Sequence, residues 1–347
     1  MKSSNHNLLK KTAFLIPLCI LLSYKVQAQV DYSTDPHLSP AVKTFLKPLN
    51  SGGQSLETMS VADARNVLVG AQAAFKVDYS GITESEKVID INGIKITLNI
   101  VRPKNSSGKI PAFLFIHGGG WVLGDYPTHK RMVRDLAVLT GFAGVFVNYT
   151  RAPEAKYPQP VNEVYAAAKW LKQNGNELNI DGNKMGIVGN SAGGNLATAS
   201  ALMAKANGEN LYQVQILFWP VTNAEFTNAS YQQYGTQRFL TTPLMKWMWD
   251  QYIPADKRNE IYASPLKASL QELRGLPPTL IQVAENDILR DEGEAYGAKL
   301  SEAGVVVTTV RYNDVIHDFG LLNGLAEIPQ TKSLFLQAAA ELKKYLK

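Results

Sequence analysis

The sequence predicts an α/β protein, a mostly parallel central sheet flanked by helices, with further helices laid over one edge. Three observations carry this. Short, nearly continuous apolar runs recur at Pro111–Ile116, Phe142–Tyr149, Met185–Gly189, Val214–Trp219 and Thr279–Ala284, as expected of strands covered on both faces. Helix-forming stretches alternate with them, which implies right-handed crossovers between parallel strands. Finally, Gly189-Asn-Ser-Ala-Gly193 sits where one such run meets a helix-forming stretch, from Asn195 to Lys205. This G-x-S-x-G pattern reads as a strand, a sharp turn and a helix, with the Ser191 hydroxyl at the apex. A Cβ on the flanking glycines would collide with the neighbouring strand and helix.

Residues 1–28 read as an export signal. Lys10 and Lys11 precede an apolar stretch, Thr12 to Leu22, that is short for a bilayer span, and Val26-Gln27-Ala28 has the small-residue character of a cleavage site. The expected mature chain starts near Gln29, in the periplasm or outside the cell, with retention as an anchor the alternative. The full chain of 347 residues carries a net charge of +5, and losing the four lysines of the signal brings it to +1. The basic character therefore gives no case for nucleic-acid binding. Cys19 is the only cysteine and falls in the signal, so disulfides, thiol catalysis and a zinc–thiolate site are excluded from the mature chain. Residues 29–347 then form a single domain, without repeats or charge blocks.

Pro40 to Pro48 is expected to be a short helix. Ser60-Val61-Ala62-Asp63 opens a second with capping-box spacing, placing Leu68, Ala71 and Phe75 on one face. Val88–Ile91 and Ile94–Leu98 flank Asn92-Gly93, a strong hairpin signal. Helices follow at Val161–Lys172, Asp291–Ala303 and Lys332–Lys347, and a strand at Val305–Tyr312. The long aromatic stretch Asn223–Asn259 interrupts the alternation. Taken alone, Trp247 and Trp249 read as packing residues. With the N-terminal helices the stretch is expected to form a cap, spanning about 30–80 and 223–260, over the reactive edge.

By composition, G-x-S-x-G arises by chance in about one chain in ten of this length, so it needs support. His117-Gly118-Gly119-Gly120-Trp121 supplies it. Three glycines after a buried strand let the backbone curl until its N–H groups point into a cavity, and these glycines are expected to serve approach to a substrate rather than folding. A serine nucleophile needs a base. His37, His117 and His129 precede Ser191, with His129 in a polar segment, and His6 lies in the signal. His317 alone is C-terminal to the serine, a short loop after the Val305–Tyr312 strand. For an orienting acid, Glu285, Asp287 and Asp291 compete. Glu285 and Asp287 share a face in an extended chain, so alternation does not separate them, while Asp287 is better placed in the loop and Asp291 looks like the acidic first turn of a helix.

His117-Gly-Gly-Gly-Trp121, Tyr149-Thr-Arg-Ala-Pro-Glu154, Gly189-Asn-Ser-Ala-Gly-Gly194, Ser264-Pro-Leu266, Asp287-Ile-Leu-Arg-Asp-Glu292 and His317-Asp-Phe319 together resemble the hormone-sensitive-lipase-like branch of the α/β-hydrolases, in family order over nearly the whole mature chain. The resemblance implies Ser191 as nucleophile, His317 as base, Asp287 as its acid, and an oxyanion hole from the N–H groups of Gly119, Gly120 and Ala192. It implies a small-molecule ester of short to medium acyl chain as substrate, no cofactor or metal, and no stable membrane insertion after signal cleavage; a homodimer is one assembly it allows. A carbohydrate acetyl esterase or amide hydrolase on the same residues is the nearest alternative, and a non-catalytic ligand receptor on the same fold the alternative of another class. Thr150-Arg151, Asn190, Glu163 and Asp318 depart from the family pattern: Asn190 and Glu163 stand where Asp is common, and Asp318 where Gly usually follows the histidine.

Overall fold

The computed structural model describes Met1 and residues 30–347; the expected cleavage site near Ala28, Cys19 and the rest of the expected signal lie outside the described residues. In chain order the elements are α1 (Pro40–Leu49), α2 (Val61–Ala73), β1 (Ile82–Ile91), β2 (Ile94–Pro103), β3 (Ile110–Ile116), α3 (Tyr126–Thr140), β4 (Ala143–Asn148), α4 (Gln159–Asn174), β5 (Ile180–Asn190), α5 (Ala192–Ala206), β6 (Val214–Phe218), α6 (Ala229–Tyr234), α7 (Thr242–Tyr252), α8 (Leu270–Leu273), β7 (Thr279–Asn286), α9 (Arg290–Glu302), β8 (Val307–Ile316) and α10 (Pro329–Leu346). The sheet has eight strands in the order β1-β2-β4-β3-β5-β6-β7-β8. β1 and β2 form the antiparallel hairpin, and β2 pairs antiparallel with β4. From β4 to β8 all pairings are parallel. Asn92 (φ 54°) and Gly93 (φ 86°) make the hairpin turn, with both central residues at the positive φ of a type I′ turn.

Alternation along the strands builds the core. In β3, Ala112, Leu114 and Ile116 enter an apolar cluster shared with Val161 and Val164 of α4, Leu196 of α5 and Leu300 of α9. Phe113 and Phe115 enter a second cluster with Met132 and Leu136 of α3 and Leu334 and Leu342 of α10. A parallel sheet covered on both faces puts every strand's C-terminal end on the same edge. β3, β5, β7 and β8 therefore deliver the glycine loop, Ser191, Asp287 and His317 to one place.

One helix goes unread in the sequence, and two expectations need correction. The segment around His129 is a fifteen-residue helix, α3. Its buried apolar residues Met132, Val133, Leu136 and Ala137 fall on one helical face, but polar Thr-His-Lys-Arg in its first turns hides the periodicity. The start and stop are nevertheless written in the sequence: Asp125 and Thr128 form a reciprocal capping box, and Gly141 ends the helix at φ 79°. Next, β8 begins two residues late and runs on to Ile316, so His317 follows the strand directly instead of after a loop. Lastly, the buried face of α2 is Ala64, Leu68 and Gln72, while Phe75 lies beyond the helix and is exposed. A polar residue takes a buried position because it is fully engaged. Gln72 Nε2 donates to the carbonyls of Thr128 (2.7 Å) and Leu321 (3.0 Å), and its Oε1 accepts from Asn323 N (2.9 Å).

Gln72 thus ties α2 to α3 and to the loop after β8. Gln72→Ala leaves the buried Asn323 N–H without an acceptor and takes one donor from the Leu321 carbonyl, which keeps Arg131, and should cost about 1–3 kcal/mol, given the penalty for an orphaned buried polar group. Urea denaturation measures this; a change within about 0.5 kcal/mol, the range of ordinary surface substitutions, would mean that α2 is not held by this clip.

Candidate active site

Closely packed backbone surrounds Ser191. β5 ends at Asn190 and α5 begins at Ala192, so a single residue makes the turn, at φ 53° and ψ −123°. A non-glycine residue in this region is strained and is held only by its surroundings. Those surroundings are specific. A Cβ on Gly193 would lie 2.0 Å from the carbonyl oxygen of Ile116, and one on Gly189 would lie 2.4 Å from the Gly193 oxygen. The missing side chains let the first turn of α5 press against the ends of β3 and β5. Ser191 N donates to the Phe218 carbonyl (2.9 Å), and its own carbonyl accepts from Asn195 N (3.1 Å) and Val221 N (3.2 Å).

Ser191 Oγ lies 3.1 Å from Nε2 of His317. On the other side of the ring, Nδ1 donates to Asp287 Oδ2 at 2.7 Å. Asp287 Oδ1 accepts from Leu289 N at 2.9 Å, which fixes the carboxylate. All three residues are at most 4% exposed. In this arrangement the histidine can take a proton from the serine while the carboxylate holds the ring in the required tautomer.

The competing acids are elsewhere. Glu285 Oε2 accepts from Asp314 N (2.9 Å) and its Oε1 pairs with His37 (3.1 Å). Asp291 accepts from Ser230 N (2.8 Å) and pairs with Arg290. Glu285 and Asp287 do not share a face, because the pairing of β7 with β8 shifts register between Ala284 and Asn286. That irregularity rotates the chain, and nothing in the local sequence announces it. Glu292, which shares the first turn of α9 with Asp291, is buried, and its Oε1 accepts from Thr222 N (2.7 Å) and Asn223 N (3.1 Å).

The glycine loop also departs from expectation. Gly118 N donates to Asn190 Oδ1 (2.9 Å). Gly119 and Gly120 have φ of 96° and 60°, and among the described residues no acceptor takes their N–H groups. Ala192, the first residue of α5, also carries an N–H without an intrahelical partner. However, a Cβ on Gly119 would lie 2.6 Å from backbone atoms of Leu123. Gly119 is therefore required by the fold of the loop itself, and the idea that these glycines serve only approach to a substrate is corrected. The other two histidines here are structural. His117 Nδ1 donates to the Gly118 carbonyl (2.8 Å), and its ring stacks on Tyr149 at 4.2 Å. His129 is fully buried on α3.

Ser191, His317, Gly119 and Gly120 line a cavity of about 370 Å3. Its walls come from α1 and α2 with the segment joining them (Phe45, Leu56, Leu68) and from the stretch around α7 (Phe239, Leu244, Met248). Met248 lies over Gly120. Trp249 is fully buried, edge-on to Trp121 at 4.7 Å, the packing role expected for it. Arg65 of α2 donates to both Glu154 oxygens at 2.7 Å and to the Val122 carbonyl at 2.8 Å, anchoring this wall to the Tyr149–Glu154 motif. Among the described residues no group of three or more His, Cys, Asp or Glu side chains is placed to hold a metal ion.

A strained serine at the head of a helix, on this sheet, with a buried histidine and carboxylate in line behind it, is the mark of a serine hydrolase. Comparison with known proteins agrees. Residues 113–321 match the α/β-hydrolase fold family. An α/β hydrolase of Acanthamoeba polyphaga mimivirus is 35% identical over 309 residues, 89% of this chain and 88% of that one. The carboxylesterase NlhH of Mycobacterium tuberculosis is 30% identical over 264 residues, 75% and 82% of the two chains. The crystal structure of a thermostable esterase from Pseudomonas putida superposes with a TM-score of 0.89 at 51% identity, over 90% of this chain and 99% of that one. The chain belongs to the α/β-hydrolase family, in its hormone-sensitive-lipase-like branch, and is a serine hydrolase of the carboxylesterase class.

The buried histidines should titrate far apart. Burial works against charge on His317, but the carboxylates of Asp287 and Asp318 and the hydrogen bond to Asp287 outweigh it and raise its pKa above 6.5. Burial lowers His129 to about 4 and His117 well below the usual value. His317 is therefore protonated over a range that reaches above pH 6.5, whereas His117 and His129 stay neutral at pH 6. An NMR titration of histidine-labelled protein should show this separation; a His317 midpoint below 6 would contradict the geometry.

Proposed function

We propose that the chain hydrolyses carboxylic esters of short to medium acyl chain through an acyl-serine intermediate, with Ser191 as nucleophile, His317 as base and Asp287 as its orienting acid. The observation that carries this reading is the hydrogen-bonded line Ser191–His317–Asp287 ending on the floor of the 370 Å3 cavity. Ser191 Oγ attacks the ester carbonyl as His317 Nε2 takes its proton. The carbonyl oxygen, now negative, is received by the N–H groups of Gly119, Gly120 and Ala192. His317 returns the proton to the departing alkoxide, leaving the acyl group on Ser191. Water, deprotonated by the same histidine, attacks the acyl-serine and releases the acid.

The cavity is at the low end of the range for small-molecule sites and mostly apolar in lining. That supports compact acyl groups over long lipid chains, and supports an acyl ester over a sugar acetate, whose hydroxyls need more polar partners. Residues 30–80 and 223–260 would act as a cap on a single domain spanning 29–347. Residues 1–28 would direct export to the periplasm or beyond, leaving a mature chain without a membrane span; N-terminal sequencing of the recovered protein should begin near Gln29, and an intact Met1 in a membrane fraction would refute this.

Ser191→Ala should fold normally and lose about 10⁴–10⁶ in kcat on p-nitrophenyl esters, as removal of a nucleophile does in such enzymes. Asp287→Asn should lose up to about 10⁴, and Glu285→Gln far less. A crippled Glu285→Gln beside a near-normal Asp287→Asn would overturn the acid assignment. Across a panel of acyl chains, kcat/KM should peak at short to medium length, and a peak at long chains would contradict the cavity reading.

A further inference from the structure

Asp318 is a buried carboxylate in the same cavity for which the acyl-transfer steps above have no use. It follows His317 directly, at φ 60°, a left-handed conformation that glycine adopts freely and Asp or Asn tolerate better than other residues. It is 6% exposed and lines the cavity with Ser191. Two donors hold it in place. Trp219 Nε1 donates to Oδ1 at 2.7 Å and Asn190 Nδ2 donates to the same oxygen at 3.1 Å. Asn190 can do this because its Oδ1 accepts from Gly118 N at the same time. An aspartate at 190 would have no donor to offer and would set two carboxylates against each other. The two departures from the family pattern, Asn190 and Asp318, are thus one matched pair.

No hydrogen bond within the described residues reaches the other oxygen, Oδ2. It lies 3.7 Å from His317 Nε2, on the side of the ring that faces Ser191. Among the described residues no lysine or arginine lines the cavity, and the other carboxylate in its lining is Glu57. Of the neighbouring titratable groups, Asp287 is engaged on the far side of the His317 ring, and His129, neutral at pH 7, offers no compensating charge.

We propose that Asp318 is a specificity-determining residue that sorts esters by charge, admitting neutral substrates and excluding those with a carboxylate close to the scissile bond. This rests on the esterase reading of Ser191. While His317 is neutral and able to act as base, a substrate carboxylate beside the reacting carbonyl enters a poorly hydrated space with Oδ2 nearby and, among the described residues, no lysine or arginine in the lining. Like charges at such distances repel strongly when water is excluded, and unpaired repulsion against the wrong partner is an effective source of discrimination.

The test compares dimethyl malonate with its monomethyl ester by pH-stat at pH 7.5, in wild type and in Asp318→Asn. Asparagine keeps the shape, tolerates φ 60°, and its Oδ1 still accepts from Trp219 and Asn190; thermal denaturation checks the fold. The intrinsic difference in reactivity between the two esters cancels in the comparison of enzymes. The monoester-to-diester ratio of kcat/KM should rise on the order of tenfold or more in Asp318→Asn, as loss of a nearby repulsion predicts. Asp318→Gly, which suits the backbone and also removes the charge, should raise it as well. A ratio unchanged within twofold in both variants, with the diester still hydrolysed, overturns the proposal and leaves the esterase reading intact. Wild type that hydrolyses no neutral ester in a broad panel removes that reading, and this proposal with it.

Discussion

Everything at the site depends on how closely the first turn of α5 packs against the ends of β3 and β5. A gap filled by even one methyl group at Gly193 would put a carbon 2.0 Å from the Ile116 carbonyl. Closing that gap fixes Ser191 at a backbone angle it would not otherwise hold, and interior packing of this density leaves no room to relax. The strain is held from below by the hydrogen bonds to Phe218, Val221 and Asn195. The same contact sets the N–H of Ala192 beside the glycine loop, because that loop grows out of the strand α5 presses on. Serine position and loop position are therefore one geometric decision.

The histidine and its carboxylate reach this point because the parallel strands bring their C-terminal ends to one edge. β7 and β8 are adjacent, so a residue just past each lies within one hydrogen bond of the other. His317 follows β8 with no intervening residue, which leaves its ring little freedom. The walls of the cavity are a separate construction. They come from chain that precedes the first strand and from the insertion after β6, joined to the sheet domain by the polar contacts of Gln72 and Arg65.

Much of this is legible in the sequence, for identifiable reasons. Strands covered on both faces are continuous apolar runs, so β3, β4, β6 and β7 are readable to within two residues, while β5 starts at Ile180, five residues before its apolar run. Ser191 and the glycine loop are readable because their backbone shapes demand glycines at fixed positions. His317 follows from chain order. What is not legible depends on tertiary context. The shift in the ladder after Ala284 separates Glu285 from Asp287, and only the paired strand reveals it. The helix α3 is masked by polar residues that find buried partners, such as Arg131 donating to Asn323 and to the Leu321 carbonyl. Gln72 on the buried face of α2 is the same effect. The glycine loop was half legible: its sequence gives the curl, but the clash of a Gly119 side chain with Leu123 appears only once the loop is closed. Asn190 and Asp318, which look like two unrelated substitutions in the sequence, become a single donor–acceptor arrangement once folding brings together residues 128 positions apart.

The central claim is that the Ser191 hydroxyl, activated by His317, is the one group that becomes acylated. Its most direct measurement is to treat the protein with a p-nitrophenyl alkylphosphonate, whose adduct mimics the tetrahedral intermediate, and to map the modification by peptide mass spectrometry. The account predicts one equivalent of p-nitrophenol released per molecule, complete loss of esterase activity and a single adduct on Ser191. It also predicts that His317→Ala reacts at least about 10³-fold more slowly, as expected when a nucleophile loses its general base. An adduct on any other residue, or equally fast labelling of His317→Ala, would contradict it.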